Sequence, residues 1–163
     1  MERSVTAVDY QSLAELRHQI RRFLHFSEQA AHQAGIEPRQ HQLLLALKGL
    51  PVRTRPRIRE LADRLQTQHH STVELVNRLA SGGYVRRHHM KEDRREVWLS
   101  LTSKGEKILR ELSLHHQEEL RLRGPALIAA LRRAIGKSKA SARTTATVSR
   151  SGKRTKAREA EDS

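Results

Sequence analysis

Residues 60–85 read ELADRLQTQHHSTVELVNRLASGGYV, and the spacing of their apolar side chains decides the fold. Ile58, Leu61, Ala62 and Leu65 stand at i, i+3, i+4 and i+7, one buried face of a short amphipathic helix. Gln66, Thr67 and Gln68 interrupt the pattern. Val73, Val76, Leu79 and Ala80 then line one side of a second helix, which Gly82-Gly83 ends. Tyr84, Val85 and the basic Arg86-Arg87-His88-His89 read as a strand. Residues 96–101 are its alternating return, with Val97, Leu99 and Leu101 on one face, and Met90 to Arg95 form a charged tip. Helix, tight turn, helix and β-hairpin is the layout of a winged helix-turn-helix, whose second helix fits a DNA major groove.

The flanks extend this picture. A long helix is expected over 9–34 from Leu13, Leu16, Ile20, Phe23, Leu24, Ala30, Ala31 and Ala34, with Gly35 as a left-handed cap. A helix of that length needs an apolar partner, on its own chain or on another. Pro38 suits the first turn of a second helix that carries Leu43, Leu44, Leu45 and Leu47 and ends at Gly49. Residues 50–56 are too proline-rich for helix and read as an extended connector. Its Arg53 and Arg55, with Arg57 beyond, either contact phosphate or form a solvated basic loop. After the hairpin, Thr102 is a good N-cap for a helix bearing Ile108, Leu109, Leu112, His116 and Leu120. Gly124-Pro125 is expected to break that helix and start a last short one, closed by Gly136.

Composition narrows the partner. The 163 residues fit one domain and carry 32 basic against 18 acidic side chains, a net +14 with the ten histidines neutral. Such an excess points first to nucleic acid. Aromatics are only 3% of the chain, too few for a platform that stacks single strands, so duplex DNA is favoured. Residues 137–163 hold eight Lys or Arg and three acids, a net +5, and read as a basic disordered tail. The remaining +9 lies on residues 1–136. The absence of cysteine excludes disulfides and thiolate metal sites. No run is long enough to span a bilayer and none has signal-peptide character, so a cytoplasmic protein with no membrane partner is expected.

The chain resembles the MarR-type transcriptional regulators over roughly residues 10–136. The resemblance rests on L-V-N-R-L-x-x-x-G-Y-V (Leu75 to Val85), D-R-R (Asp93 to Arg95) and L-x-L-T-x-x-G (Leu99 to Gly105), in this order and spacing. It implies a mainly α fold with a small β-hairpin wing and a dimer of interlocked N- and C-terminal helices. Residues 9–34 and 102–136 would supply the dimerisation helices, and 38–101 the DNA-binding lobe. By resemblance the function is a ligand-responsive repressor that binds a pseudo-palindromic operator as a homodimer, responds to a small-molecule effector and needs no cofactor.

The same resemblance makes 69–81 the recognition helix, with His69, His70, Ser71, Thr72, Glu74 and Arg78 as candidate DNA contacts. In the wing the candidates are Lys91, Asp93, Arg94 and Arg95, with the acid steadying the hairpin and Arg95 reaching a narrow minor groove. Glu74 departs from the polar or basic residue of many relatives. A carboxylate repels phosphate, so Glu74 either accepts from a cytosine N4 amine or faces away. Arg78 is a phosphate anchor or an intramolecular partner.

The histidines raise a metal reading, because some relatives are zinc-responsive regulators of the same fold. His18, His25 and His32 repeat every seven residues, about 10.5 Å apart along a helix axis, so no two can share one ion within that helix. His18, His25, His41 and His116 are instead expected to line a ligand cleft. No phosphate-cradling loop, nucleophile elbow or carboxylate pair suggests an enzyme. Two alternatives remain. One is a nonspecific, nucleoid-associated DNA binder, which predicts a steep salt slope without sequence preference. The other is a ligand- or protein-interaction module whose helix-turn-helix has lost DNA binding, motivated by Glu74.

Overall fold

The computed structural model describes residues 4–89 and 97–151, with side chains to residue 136. The elements in order are α1 (Ala7–Gln33), α2 (Pro38–Lys48), α3 (Ile58–Leu65), α4 (His69–Ser81), β1 (Val85–His89), β2 (Val97–Leu101) and α5 (Ser103–Ser151). The chain divides into two units. One is Leu24–Glu119, and the other is Met1–Phe23 together with Leu120–Ser163.

The first unit holds the winged lobe. Leu43, Leu44, Leu61, Leu79, Leu99 and Leu112 are essentially inaccessible to water and share one cluster with Val76, Val85 and Leu109. Burial of each large aliphatic contributes roughly 1.5–3 kcal/mol. α2 starts as the sequence implies, with Pro38 in its first turn and the Gln40 side chain accepting from the Glu37 N–H at 2.9 Å. Leu45 is a difference: it is about half exposed rather than core. Gly35 takes a positive φ of 80° at the end of α1, and the Ile36 N–H closes the turn on the Ala31 carbonyl at 3.1 Å.

β1 and β2 pair antiparallel, from Val85 opposite Leu101 to His89 opposite Val97. The connector adds a third, minimal edge: Arg57 bridges to Trp98, and the Leu99 N–H donates to the Pro56 carbonyl at 2.9 Å. The L-T-x-x-G pattern now has a geometric cause. Thr102 donates its N–H to the Tyr84 carbonyl and accepts the Gly105 N–H on its hydroxyl, capping α5. The first turn of α5 thereby lies so close to the strand that a Cβ on Gly105 would sit 2.1 Å from the Tyr84 oxygen. Only glycine fits.

In the second unit, Thr6 and Asp9 cap α1 reciprocally, through Thr6 N–H to Asp9 Oδ2 at 2.9 Å and Asp9 N–H to Thr6 Oγ1 at 3.3 Å. Val8, Tyr10, Leu13 and Ile20 on α1 are exposed, as are Leu120, Leu122, Ile128, Leu131 and Ile135 on α5.

Two expectations need correction. Gly124-Pro125 does not break the helix; Pro125 lies inside α5. Gly124 has no Cβ to meet the proline ring, which relieves one part of the proline's cost; the missing N–H and the crowding of the Arg121 carbonyl remain. Nor does the helix close at Gly136, since α5 runs on to Ser151. Residues 137–151 contain neither glycine nor proline, and the next residue, Gly152, is the first strong breaker. Residues 152–163 of the expected tail lie outside the described residues.

Candidate nucleic-acid interface

The turn between α3 and α4 is set by Gln66, which adopts the left-handed conformation (φ 52°, ψ 45°) as the cap of α3. Its side-chain amide donates to the Asp63 carbonyl at 2.7 Å, and the Thr67 N–H donates to Ala62 at 3.0 Å. These bonds offset the cost of a left-handed non-glycine residue, of order 1 kcal/mol. α4 leaves this turn at a fixed angle.

Thr72, Val76 and Leu79 face inward and fix the roll of α4 about its axis. His69, His70, Glu74, Asn77, Arg78 and Ser81 are exposed, and Ser71 is half-buried. His70, Glu74, Asn77 and Ser81, at i, i+4, i+7 and i+11, form the centre of the outward arc. Thr72 therefore does not belong among the base-contacting candidates. Its hydroxyl is inside, 2.9 Å from Thr67 Oγ1 and 3.2 Å from the Gln68 carbonyl, where it ties the turn to the helix. The Gln68 cap makes no side-chain bond to the first turn, which leaves the helix N-terminus facing outward as an anion-attracting end.

The hairpin flanks this arc. Arg87 on β1 donates to the Asn77 side-chain oxygen and so ties the wing to the middle of α4. Arg86 is exposed beside it. His88 stacks on Trp98 across the strands, with ring centroids 3.9 Å apart and planes 14° from parallel, and its Nε2 lies 2.7 Å from Ser100 Oγ. Arg53 and Arg55 are exposed on the connector, whereas Arg57 is partly buried at the start of α3. Lys91, Asp93, Arg94 and Arg95 lie outside the described residues. Asn77 and Arg87 were not singled out from the sequence. The 70–74–77 spacing on the polar side of α4 is the signal that carries Asn77.

A polar cleft of about 330 Å³ lies beside the arc, bordered by Arg39 and Gln42 of α2, the Gln66-Thr67 turn, and Glu74 and Arg78 of α4. A second cavity of about 950 Å³ opens between the end of α2 and the first turns of α5. Leu45, Leu109 and Leu114 line it, with Lys48, Lys107 and Arg110. At its margin Lys48 and Glu106 form an exposed ion pair at 2.6 Å, a contact worth at most about 1 kcal/mol.

Of the four histidines expected to line a ligand cleft, the fold brings together two. His41 of α2 and His116 of α5 pack ring on ring at 4.8 Å, and Phe26 meets His116 edge-on at 5.6 Å. His116 Nδ1 must carry its proton, because it faces the Leu112 carbonyl at 2.6 Å. Its Nε2 lies 2.8 Å from the Ser27 hydroxyl. His41 is buried, its Nδ1 meets no hydrogen-bond partner among the described residues, and burial plus the neighbouring His116 lower its pKa from 6.5 to about 4. It is a neutral core residue. His25 and His18 are exposed, each in its own unit. Among the described residues no group of three His, Asp or Glu converges as a metal site.

This geometry has known counterparts. Residues 34–96 match the model of the MarR family. Over those residues the winged lobe is similar to the MarR family. Among solved structures, AbsC, a MarR family transcriptional regulator from Streptomyces coelicolor, aligns with a TM-score of 0.66 at 20% identity, over 88% of this chain and 99% of that one. A MepR mutant of Staphylococcus aureus bound to an oligodeoxyribonucleotide aligns at 0.58 and 18% identity, over 90% and 98%. A mutant MarR from Escherichia coli complexed with operator DNA aligns at 0.58 and 20%, over 83% and 99%. No curated protein matches the chain. In the lobe that matches this model, α4 turns its polar side outward.

Proposed function

We propose that this chain is a transcriptional regulator that binds double-stranded DNA sequence-specifically as a homodimer, most simply as a repressor in the cytoplasm. The observation that carries the reading is the fixed roll of α4. It presents His69, His70, Ser71, Glu74, Asn77 and Arg78 outward, at the dimensions a major groove admits. Arg53, Arg55 and Arg86 supply phosphate contacts around it. Lys91, Asp93, Arg94 and Arg95 are the wing contacts of the same proposal. Two relatives of like fold are seen with DNA.

The exposed apolar residues of α1 and of α5 beyond Leu120 supply the surface a second copy would cover. The cavity lined by Leu45, Leu109 and Leu114, with charged side chains of both signs at Lys107, Arg110, Glu106 and Glu111, offers room for a small, largely apolar effector. Such a ligand releases DNA only through unequal affinity for the free and bound forms.

Selection from a random duplex pool tests the reading. It should enrich a pseudo-palindrome whose half-sites lie one helical turn, about 10 base pairs, apart. A pool that stays random after repeated rounds refutes it.

A further inference from the structure

Glu74 is the feature of the outward arc that phosphate binding does not explain. It is exposed on the second turn of α4, beside Arg78 four residues on and Arg39 across the polar cleft. A Glu–Arg pair at this spacing usually forms when both side chains are free to meet. Here Glu74 makes no hydrogen bond or ion pair with any described residue. Among the described residues the carboxylate is thus unneutralised, in a chain of net charge +14 and on the surface proposed to meet a polyanion. Facing away, the other reading of this residue, is incompatible with the roll that Thr72, Val76 and Leu79 impose.

An ionised carboxylate only accepts hydrogen bonds. In the major groove the donors are cytosine N4 and adenine N6, while guanine N7 and O6 and thymine O4 are acceptors that repel it. Adenine sets its N7 acceptor next to N6, against the second carboxylate oxygen. Cytosine sets a plain C–H next to N4. Cytosine is therefore the base that Glu74 accepts best.

We infer that Glu74 is a specificity-determining residue, which selects one cytosine in each half-site and lowers affinity for DNA in general. The inference rests on the DNA-binding reading above. A wrong base pair at such a position typically lowers affinity by roughly 5- to 150-fold. Glutamine in the same place offers a donor and an acceptor, the pattern that matches adenine N7 and N6.

The test selects from a random duplex pool with the full-length parent, E74Q and E74A, and measures each protein's affinity for one unselected duplex. Because Glu74 is exposed, both variants should fold like the parent, which thermal unfolding checks. One cytosine column per half-site should shift to adenine in E74Q and become degenerate in E74A, and both variants should bind the unselected duplex several-fold more tightly. If the parent enriches a motif that neither substitution alters, Glu74 does not read a base, although the protein still reads DNA. If the parent enriches nothing, both readings fall together.

Discussion

Lowering the pH from 7 to 5 should destabilise the winged lobe through His41 in particular. The ring is 3% exposed, and burial first and His116 second lower its pKa from 6.5 to about 4. The folded pKa is below the unfolded one, so between the two values the unfolded chain binds more protons. The stabilisation is fully present above pH 6.5 and is lost as the pH falls toward 4. Over the whole window the shift amounts to about 3 kcal/mol, and between pH 7 and 5 to about 2 kcal/mol. Urea unfolding of the parent and of His41→Leu at both pH values, at one fixed protein concentration, isolates the contribution. The variant should lose about 2 kcal/mol less than the parent on acidification, a difference typical of a buried neutral imidazole. An equal loss in both proteins would refute a buried neutral His41.

Further outcomes follow from close contacts in the lobe. Replacing glycine by alanine inside a helix usually stabilises by up to about 1 kcal/mol. At Gly105 the new Cβ would meet the Tyr84 carbonyl at 2.1 Å, so Gly105→Ala should instead destabilise by about 1–3 kcal/mol or more. A raised thermal midpoint would contradict the contact. Thr72→Val removes a hydroxyl held by Thr67 and Gln68. It should reduce stability by about 1 kcal/mol and leave affinity for a selected duplex within twofold; a larger loss of affinity would place Thr72 back at the DNA.

Much of the lobe was legible because its signals are local. The apolar spacing of Ile58 to Leu65 and of Val73 to Ala80, the glycine pair, and the Leu99–Gly105 pattern each depend on a few neighbouring residues. All three have counterparts in α3, α4 and the cap of α5. Thr72 was misplaced because hydroxyl chemistry and nearness to the helix start suggested the surface. Its spacing to Val76 and Leu79, four and seven residues, is that of the buried face. Pro125 misled in the opposite direction. Its local tendency to end a helix is real, but Gly124 relieves part of the crowding and the apolar repeat of Leu120, Ile128, Leu131 and Ile135 continues through it. The His41–His116 contact was expected only as two members of a wider cleft. Two rings that far apart in the chain are brought together by the packing of α2 on α5, which no local pattern specifies. The bridge from Arg57 to Trp98 is hidden in the same way.

Sequence-specific recognition of duplex DNA is the central claim, and a competition experiment tests it most directly. The labelled duplex is one enriched by selection, the competitor is random duplex, and the salt is close to 0.15 M because affinity at low salt reports mainly phosphate contacts. The account predicts a preference of about 10³ or more for the selected duplex. A ratio near one, with affinity that falls steeply with salt for both duplexes, would contradict it and leave a basic protein that grips DNA without reading it.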